Sequence, residues 1–355
     1  MINLTPKFDF NDLLVPPCEI SDINSRKDVN VYDENGMLPL FTAPMDTVID
    51  WENFKIFEEQ KIYPIIPRTS VTDYKTAYPC WTAISLKTFK EVYGNLDFEF
   101  TEKKHILIDI ANGHMRDLLQ SVEKTKAFYG EKLVLMIGNI ANPGTFKILS
   151  DAGADFVRVG IGNGAGCLTT QNTGIGYPMA SLIYEIRQLN PISSTGAKLV
   201  ADGGLKDFAD ICKALALGAN YCMVGSILNK TLESAGETFR ANVHHTDGYT
   251  EPGEKVNQYH QNVKMAFQSG AKFYKKFRGM STKEVQRAMG NEAIRTSEGV
   301  TRMQPVEYTL AGWVDNFKDY LATHMSYVGT RTLEEFTGNV PLISITQNSF
   351  LRFKK

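Results

Sequence analysis

A cysteine within a glycine-rich stretch has the clearest capacity for chemistry in this chain. Cys167 lies in a segment with six glycines between positions 160 and 176, directly after the apolar run Phe156–Val159. Because glycines raise the entropy lost on ordering and supply no side chains for packing, we expect a loop at a strand end. Thr169 and Thr170 place hydroxyls within reach of the thiol. This pattern is typical of an enzyme nucleophile, although spacing alone leaves open a turn around a buried structural cysteine.

A carboxylate followed by glycines forms a second candidate group. Asp202 precedes Gly203 and Gly204, which suits a ribose because a carboxylate accepts hydrogen bonds from two hydroxyls. Gly225 and Ser226 end another apolar run before a helix-like segment, where backbone N–H groups can bind a phosphate. Each of these residues could instead cap a strand or form a turn. Other polar residues at or just after apolar runs are Asp46, Asp109, Asn112 and Asn139.

Short apolar runs that alternate with helix-length amphipathic stretches must position these residues. Eight such β-then-α units favour a (β/α)8 TIM barrel, since parallel strands need crossover helices and eight strands close a sheet without an edge. In a barrel the polar residues would share the rim at the carboxyl ends of the strands. The predicted strands are residues 38–43, 62–66, 81–86, 105–111, 133–137, 156–159, 198–201 and 221–224, and the predicted helices include 51–60, 115–129, 144–152, 179–189 and 208–217.

An open doubly wound sheet is the alternative architecture. Such a sheet usually has fewer strands and a glycine-rich fingerprint after its first strand. Here the first predicted strand continues into Ala43-Pro-Met-Asp-Thr47 instead. The sequence therefore favours the barrel.

Composition excludes several classes of protein. A chain of 355 residues that is 43% apolar can bury a large core, and its net charge of −2 provides no excess of cations for nucleic acid. No apolar run approaches the roughly 18 residues of a membrane span, and the start is polar. The five cysteines lack CxxC spacing, which predicts neither a disulfide framework nor a zinc site. We expect a cytoplasmic protein with no nucleic-acid or membrane partner.

Six segments, in this order, resemble the IMP dehydrogenase and GMP reductase family, and the resemblance extends over nearly the whole chain. It implies a (β/α)8 barrel, a homotetramer, and a cysteine that attacks purine C2 to form a covalent thioimidate. The segments are TAPMDTV at 42–48, ANG at 111–113, GIGNGAGCLT at 160–169, ADGG at 201–204, RGMS at 278–281 and SEG at 297–299.

The resemblance also implies roles for individual residues. Cys167 would be the nucleophile, with Thr169 and Glu298 assisting proton transfer. The carbonyls of Gly162, Gly164 and Cys167 would bind a monovalent cation such as K+. Residues implied to bind the purine nucleotide are Asp202, Gly203, Gly204, Gly225, Ser226, Gly279, Met280, Ser281, Arg295 and Ser297, and those implied to bind the nicotinamide cofactor are Ser25, Arg26, Asp109, Ile110, Ala111, Ile161 and Gly162.

Three features favour the reductase over the dehydrogenase. The resemblance implies that a dehydrogenase hydrolyses the thioimidate with the help of an Arg-Tyr pair on its flap. No Arg-Tyr dipeptide occurs in this chain. Glu298 stands where a dehydrogenase usually has glutamine, and a glutamate can move protons to and from ammonia. Residues 71–104 leave no room for an inserted CBS domain. We therefore expect NADPH-dependent deamination of GMP or a close guanine nucleotide. Two segments, 214–219 and 278–280, resemble dehydrogenase sequences more than reductase sequences.

Two alternatives remain at this stage. One is an NAD-dependent IMP dehydrogenase that makes XMP. The other is a catalytically weak purine-nucleotide-binding member, suggested by Ala165 where the family commonly has a serine. These alternatives differ in the cofactor consumed or formed.

The predicted domain organisation is a single barrel domain over residues 1–355. It would contain a polar insertion at 236–277 and an active-site flap at 278–300. His244 and His245 of the insertion are adjacent, so both cannot chelate a metal from one regular face. We expect a solvated hairpin or a subunit contact there rather than a ligand site.

Overall fold

The computed structural model describes residues 5–353 apart from 77, 193–195, 244–249, 290–295 and 297–298. The chain begins with a short amino-terminal arm ahead of the barrel. In this arm a 3-10 helix, Phe10–Asp12, is closed by a capping box with Asp9 and leads into strand β1 (Leu13–Leu14). A second 3-10 helix, Arg26–Asp28, is capped by the Ser25 side chain.

Eight parallel strands form the central sheet, with spatial order β2-β9-β8-β7-β6-β5-β4-β3. Tyr63 joins the two end strands, because its N–H donates to the Leu40 carbonyl and its carbonyl accepts from the Thr42 N–H, both at 3.0 Å. The sheet is therefore closed, and the predicted barrel is confirmed. Its strands are β2 (Leu40–Thr42), β3 (Ile65–Ile66), β4 (Trp81–Ile84), β5 (Lys104–Asp109), β6 (Leu133–Ile140), β7 (Phe156–Val159), β8 (Lys198–Asp202) and β9 (Tyr221–Val224).

Helices connect these strands and cover the outside of the barrel. At one of them Pro143 occupies the first turn and Asn142 accepts hydrogen bonds from two backbone N–H groups, a common helix start. The helix predicted at 51–60 begins only at Phe54. The helices are α1 (Phe54–Glu59), α2 (Leu86–Tyr93), α3 (Arg116–Tyr129), α4 (Pro143–Asp151), α5 (Thr169–Thr173), α6 (Met179–Leu189), α7 (Phe208–Leu217) and α8 (Ser226–Asn229), and a 3-10 helix, Gly130–Lys132, follows α3.

Aromatic rings fill the amino-terminal half of the barrel. The Phe41 ring centroid lies 5.7 Å from that of Trp81, 5.9 Å from that of Phe156 and 5.2 Å from that of Tyr221. Three of these residues begin their strands. This end is packed with side chains, so a ligand can enter the barrel only from the carboxyl ends.

A separate four-stranded antiparallel sheet follows the eighth barrel unit, in the order β11-β10-β12-β13. β10 and β11 form a hairpin within the polar stretch 236–277. The proposed boundary between insertion and flap falls inside β12, so both segments are built on one sheet. Its elements are β10 (Thr238–Val243), β11 (Thr250–Val256), α9 (Gln261–Gln268), β12 (Phe273–Arg278), α10 (Lys283–Ala288) and β13 (Thr301–Pro305).

The carboxyl-terminal segment returns to the barrel and to the amino-terminal arm. Helix α11 (Leu310–Tyr327) packs against α7, and α12 (Leu333–Phe336) follows it. Strand β14 (Ile343–Ser344) pairs antiparallel with β1, and α13 (Gln347–Phe353) ends the described chain. Across the described ranges, none of the helices has the length and apolar character needed to cross a membrane.

Candidate active site

A cavity of about 800 Å³ opens at the carboxyl ends of the barrel strands. The four-stranded sheet contributes to its wall through the residues that follow β12. Most of the predicted site residues therefore meet in one place. Those that line the cavity are Asp109, Ile110, Ala111, Ile161, Gly162, Gly164, Cys167, Thr169, Asp202, Gly203, Gly204, Gly225, Ser226, Gly279, Met280 and Ser281.

The thiol of Cys167 contacts a hydroxyl inside this cavity. Its Sγ lies 3.2 Å from Oγ1 of Thr169, and the Cys167 side chain is half-buried. Thr169 is the first residue of α5 (Thr169–Thr173), so the loop predicted for the whole glycine-rich stretch is wrong there, because the residues between Gly166 and Gly174 include no glycine. A thiol beside a hydroxyl at the cavity wall is an arrangement for nucleophilic attack with local proton transfer.

A buried arginine links the two carboxylates of the cavity. Arg158 Nη1 lies 2.7 Å from Asp109 Oδ1, and Arg158 Nε lies 2.9 Å from Asp202 Oδ2. Asn139 Nδ2 donates to the same Asp202 oxygen at 2.7 Å and to the Gly160 carbonyl at 2.8 Å. Burial alone would lower the pKa of Arg158, but the two carboxylates outweigh it and raise that pKa. The network fixes the orientation of both carboxylates.

The chain is similar to known proteins over nearly its whole length. The model of the IMP dehydrogenase / GMP reductase domain matches residues 70–352. The chain belongs to the IMP dehydrogenase / GMP reductase family. It is 28% identical to proteins named GMP reductase from Vibrio parahaemolyticus and from Aliivibrio fischeri (strain ES114), and 26% identical to one from Vibrio cholerae. Each comparison covers 96% of this chain and 95% of the relative.

Family membership indicates an oxidoreductase of the IMP dehydrogenase / GMP reductase type and agrees with the barrel. Arg158 was missed as a site residue in the sequence, because the run Phe156–Val159 was assigned as an apolar strand. A signal was present, since alternation places Phe156 and Arg158 on the same face of β7. A lone arginine on the barrel-facing side of a buried strand needs a carboxylate partner. Asn139 also differs from expectation, because β6 extends through it to Ile140.

Some of the predicted site residues do not line the cavity. Ser25 caps its own 3-10 helix, and Arg26 pairs with Asp319 of α11 at 3.2 Å, so neither lines the cavity of this chain. Asn112 is also outside its lining. Arg295, Ser297 and Glu298 lie outside the described residues.

A second arginine that the sequence analysis did not identify, Arg68, lines the cavity beside Asp109. Its Nε is 3.6 Å from Asp109 Oδ2, and its side chain is 30% exposed. Within the part of the chain that the structure describes, this buried Nε has no hydrogen-bond acceptor. Arg68 therefore keeps donor capacity for an anionic ligand group.

The predicted cation ligands are backbone carbonyls on the glycine loop. The Gly164 carbonyl accepts from the Cys167 N–H at 2.9 Å, and a carbonyl oxygen retains a second lone pair. Gly162 has φ +82°, and a Cβ there would lie 1.6 Å from Thr170 Oγ1, so this turn requires glycine. The described residues contain no cluster of His, Cys, Asp and Glu side chains for a metal. The carbonyls suit a monovalent ion, which remains a prediction.

Proposed function

We propose that this protein converts GMP, or a close guanine nucleotide, to IMP and ammonia with NADPH. The observation that carries the proposal is the contact between Cys167 and Thr169 in a cavity that also holds an oriented Asp202. Relatives similar over nearly their whole length are named GMP reductase. The absence of an Arg-Tyr dipeptide from the sequence argues against hydrolysis by a dehydrogenase flap.

The proposed reaction has two stages at purine C2. The Cys167 thiolate adds to C2, and the 2-amino group leaves as ammonia after protonation, which gives a thioimidate. NADPH, when bound, supplies a hydride to C2. The C2–S bond then breaks, and the thiolate is released with IMP. Thr169, beside the sulfur, can hold and pass the proton that the amine needs, with Glu298 as its proposed acid–base partner.

Asp202 is suited to hold the sugar. Every contact that the described residues make to this carboxylate goes to Oδ2, from Arg158 and Asn139. We propose that Oδ1 accepts hydrogen bonds from ribose hydroxyls. Gly203 and Gly204 adopt φ of +89° and +77°, a region that favours glycine. Because they have no side chains, the sugar can approach the backbone closely. Gly225 and Ser226 would contact the phosphate.

A second group of cavity residues is proposed to bind the nicotinamide dinucleotide. Asp109, Ile110 and Ala111 line the cavity with Ile161 and Gly162. Arg68 contributes an incompletely paired guanidinium, as an anionic dinucleotide requires. We propose that these residues hold NADPH, and we retain the homotetramer and the cytoplasmic location as predictions.

Absorbance at 340 nm tests the proposal directly. Purified protein with GMP and NADPH should consume NADPH and release ammonia in equal amounts. The same protein with IMP and NAD should form no NADH. NADH formation with release of XMP would show that the protein is a dehydrogenase and not a reductase. Nucleotide binding without NADPH consumption or NADH formation would indicate a catalytically weak binding protein.

A further inference from the structure

Three backbone segments meet beside the reactive cysteine. The Gly279 N–H donates to the Val300 carbonyl at 3.0 Å, and the Val300 N–H donates to the Gly166 carbonyl at 3.2 Å. Cys167 itself forms an antiparallel bridge with Gly299. A Cβ at Gly279 would lie 2.6 Å from the Gly166 oxygen, so the close approach requires glycine. The cysteine loop is thus paired with residues 299 and 300, which lead into β13 of the four-stranded sheet.

An ion pair ties the same sheet to the barrel rim. Arg278, the last residue of β12, places Nη2 2.5 Å from Oδ2 of Asp46, which follows β2. The side chains of Arg278 and Asp46 are only 13% and 18% exposed. Arg278 Nη1 also contacts Glu284 Oε1 of α10 at 2.6 Å, but Glu284 is 49% exposed. Arg278 therefore joins the barrel, the small sheet and the flap helix immediately before the junction at Gly279.

The backbone next to Asp46 is hydrogen-bonded to two other segments of the chain. The carbonyl of the next residue, Thr47, accepts hydrogen bonds from the Asn229 side chain and from the Gly236 N–H at 3.0 Å. Asp46 also follows Met45, which lines the cavity. Burial raises the pKa of Asp46, and the charge and hydrogen bond of Arg278 oppose that rise. Removing either partner would leave a poorly solvated charge, so the pair has a defined geometry to maintain.

We propose that the Arg278–Asp46 ion pair is a positioning device for Cys167. By fixing the end of β12 to the barrel rim, it holds the Gly166–Val300–Gly279 junction and keeps the thiol beside Thr169. Neither side chain needs to contact the reacting atoms. The inference rests on the proposed function only in taking Cys167 as the reactive group.

The test compares Asp46→Asn with a matched control, Glu284→Gln. Glu284 is the other partner of Arg278 but does not contact the barrel. We measure the rate at which iodoacetamide alkylates Cys167, with Cys18 in the same molecule as the internal reference, together with kcat and KM for GMP. Asp46→Asn should slow Cys167 alkylation at least threefold and lower kcat at least tenfold. Glu284→Gln should stay within twofold of the wild type on both.

Two further variants separate positioning from general destabilisation. Arg278→Lys keeps the charge but loses the planar guanidinium that contacts Asp46, so it should change Cys167 alkylation in the same direction by a smaller factor. The charge swap Asp46→Arg with Arg278→Asp should recover part of the lost rate. Unchanged or faster Cys167 alkylation in Asp46→Asn and Arg278→Lys, measured below the onset of melting, would overturn the proposal. Alkylation needs no turnover, so a wild-type protein inactive on GMP would refute the proposed function while leaving this comparison decisive.

Discussion

Arg158 and Asp202 form an ion pair whose side chains are only 11% and 17% exposed, with Arg158 Nε 2.9 Å from Asp202 Oδ2. The same guanidinium lies 2.7 Å from Asp109, so one side chain holds the carboxylates of both proposed ligand ends. Removing a partner from such a pair is costly, because it leaves an uncompensated charge in a poorly solvated place. This relationship leads to the first prediction.

Arg158→Leu should lower the free energy of unfolding by about 3–5 kcal/mol, since the largely buried Asp202 loses its counter-charge and Asp109 keeps only the longer contact with Arg68. Urea denaturation measures this change. The matched control is the triple variant Arg158→Leu, Asp109→Asn, Asp202→Asn, which should regain much of the stability because neither carboxylate remains to be left uncompensated, although Arg68 loses its contact with Asp109. A loss below about 1 kcal/mol in the single variant would show that the network does not stabilise the barrel.

Cys167→Ala should abolish turnover and leave nucleotide affinity within about tenfold, because the thiol forms a bond during the reaction but contributes little non-covalent area. Stopped assays at 340 nm and calorimetric titration with GMP measure the two properties. A variant that keeps a tenth or more of wild-type turnover would refute the covalent mechanism.

Cys167 should be alkylated faster than the other four cysteines. Burial raises the pKa of Cys80 and of Cys212 to about 12 and raises that of Cys222 well above its ordinary value, so these thiols carry little thiolate at neutral pH. Cys18 is half-buried like Cys167 and is the informative reference. Mass spectrometry after brief iodoacetamide treatment gives the order. Equal labelling of Cys167 and Cys18 would argue against an activated thiol.

Glu298→Gln tests the proposed acid–base role, although Glu298 lies outside the described residues. The amide keeps the shape of the side chain but cannot titrate, so deamination of GMP should fall by roughly 10²–10⁴-fold. Hydride transfer does not need this carboxylate, and the variant should still bind IMP with oxidised cofactor. Unchanged GMP deamination would remove Glu298 from the mechanism.

His324 of α11 should make the fold less stable in mild acid. Burial lowers its pKa to about 4, its Nε2 has no hydrogen-bond partner among the residues described, and its ring lies 5.2 Å from that of Phe336. Between the ordinary pKa of 6.5 and the lowered one, the unfolded chain takes up a proton that the folded chain does not. Stability should therefore fall as the pH drops through this window, by up to about 2 kcal/mol between about pH 7 and about pH 5.

His324→Gln supplies the comparison for that titration. Other groups also titrate in this window, so the prediction concerns the difference between the wild type and the variant. The urea midpoint should differ less between the two pH values in His324→Gln than in the wild type. Equal movement in both proteins would show that His324 is not the group responsible.

The sequence determined the barrel because its signals are local. An apolar run of strand length followed by an amphipathic helix is recognisable without knowing its neighbours, and all eight predicted strands are present. The loop that leads to Cys167 was equally readable, because the four glycines at alternate positions from 160 to 166 disfavour a helix or a strand, whereas the glycine-free residues that follow form α5. Strand order then followed from the parallel connections, which placed Asp109 and Asp202 on one rim.

Contacts between distant positions were decided by the tertiary structure alone. Arg158 is 44 positions from Asp202, and its carboxylate partners could be identified only when β7 was placed between its neighbouring strands. Arg278 and Asp46 are 232 positions apart, and nothing in either local pattern indicates a partner. The small sheet that brings Gly299 to Cys167 likewise depends on long-range pairing. Local propensity specifies elements, whereas an ion pair or a bridge depends on which elements become neighbours when the sheet closes.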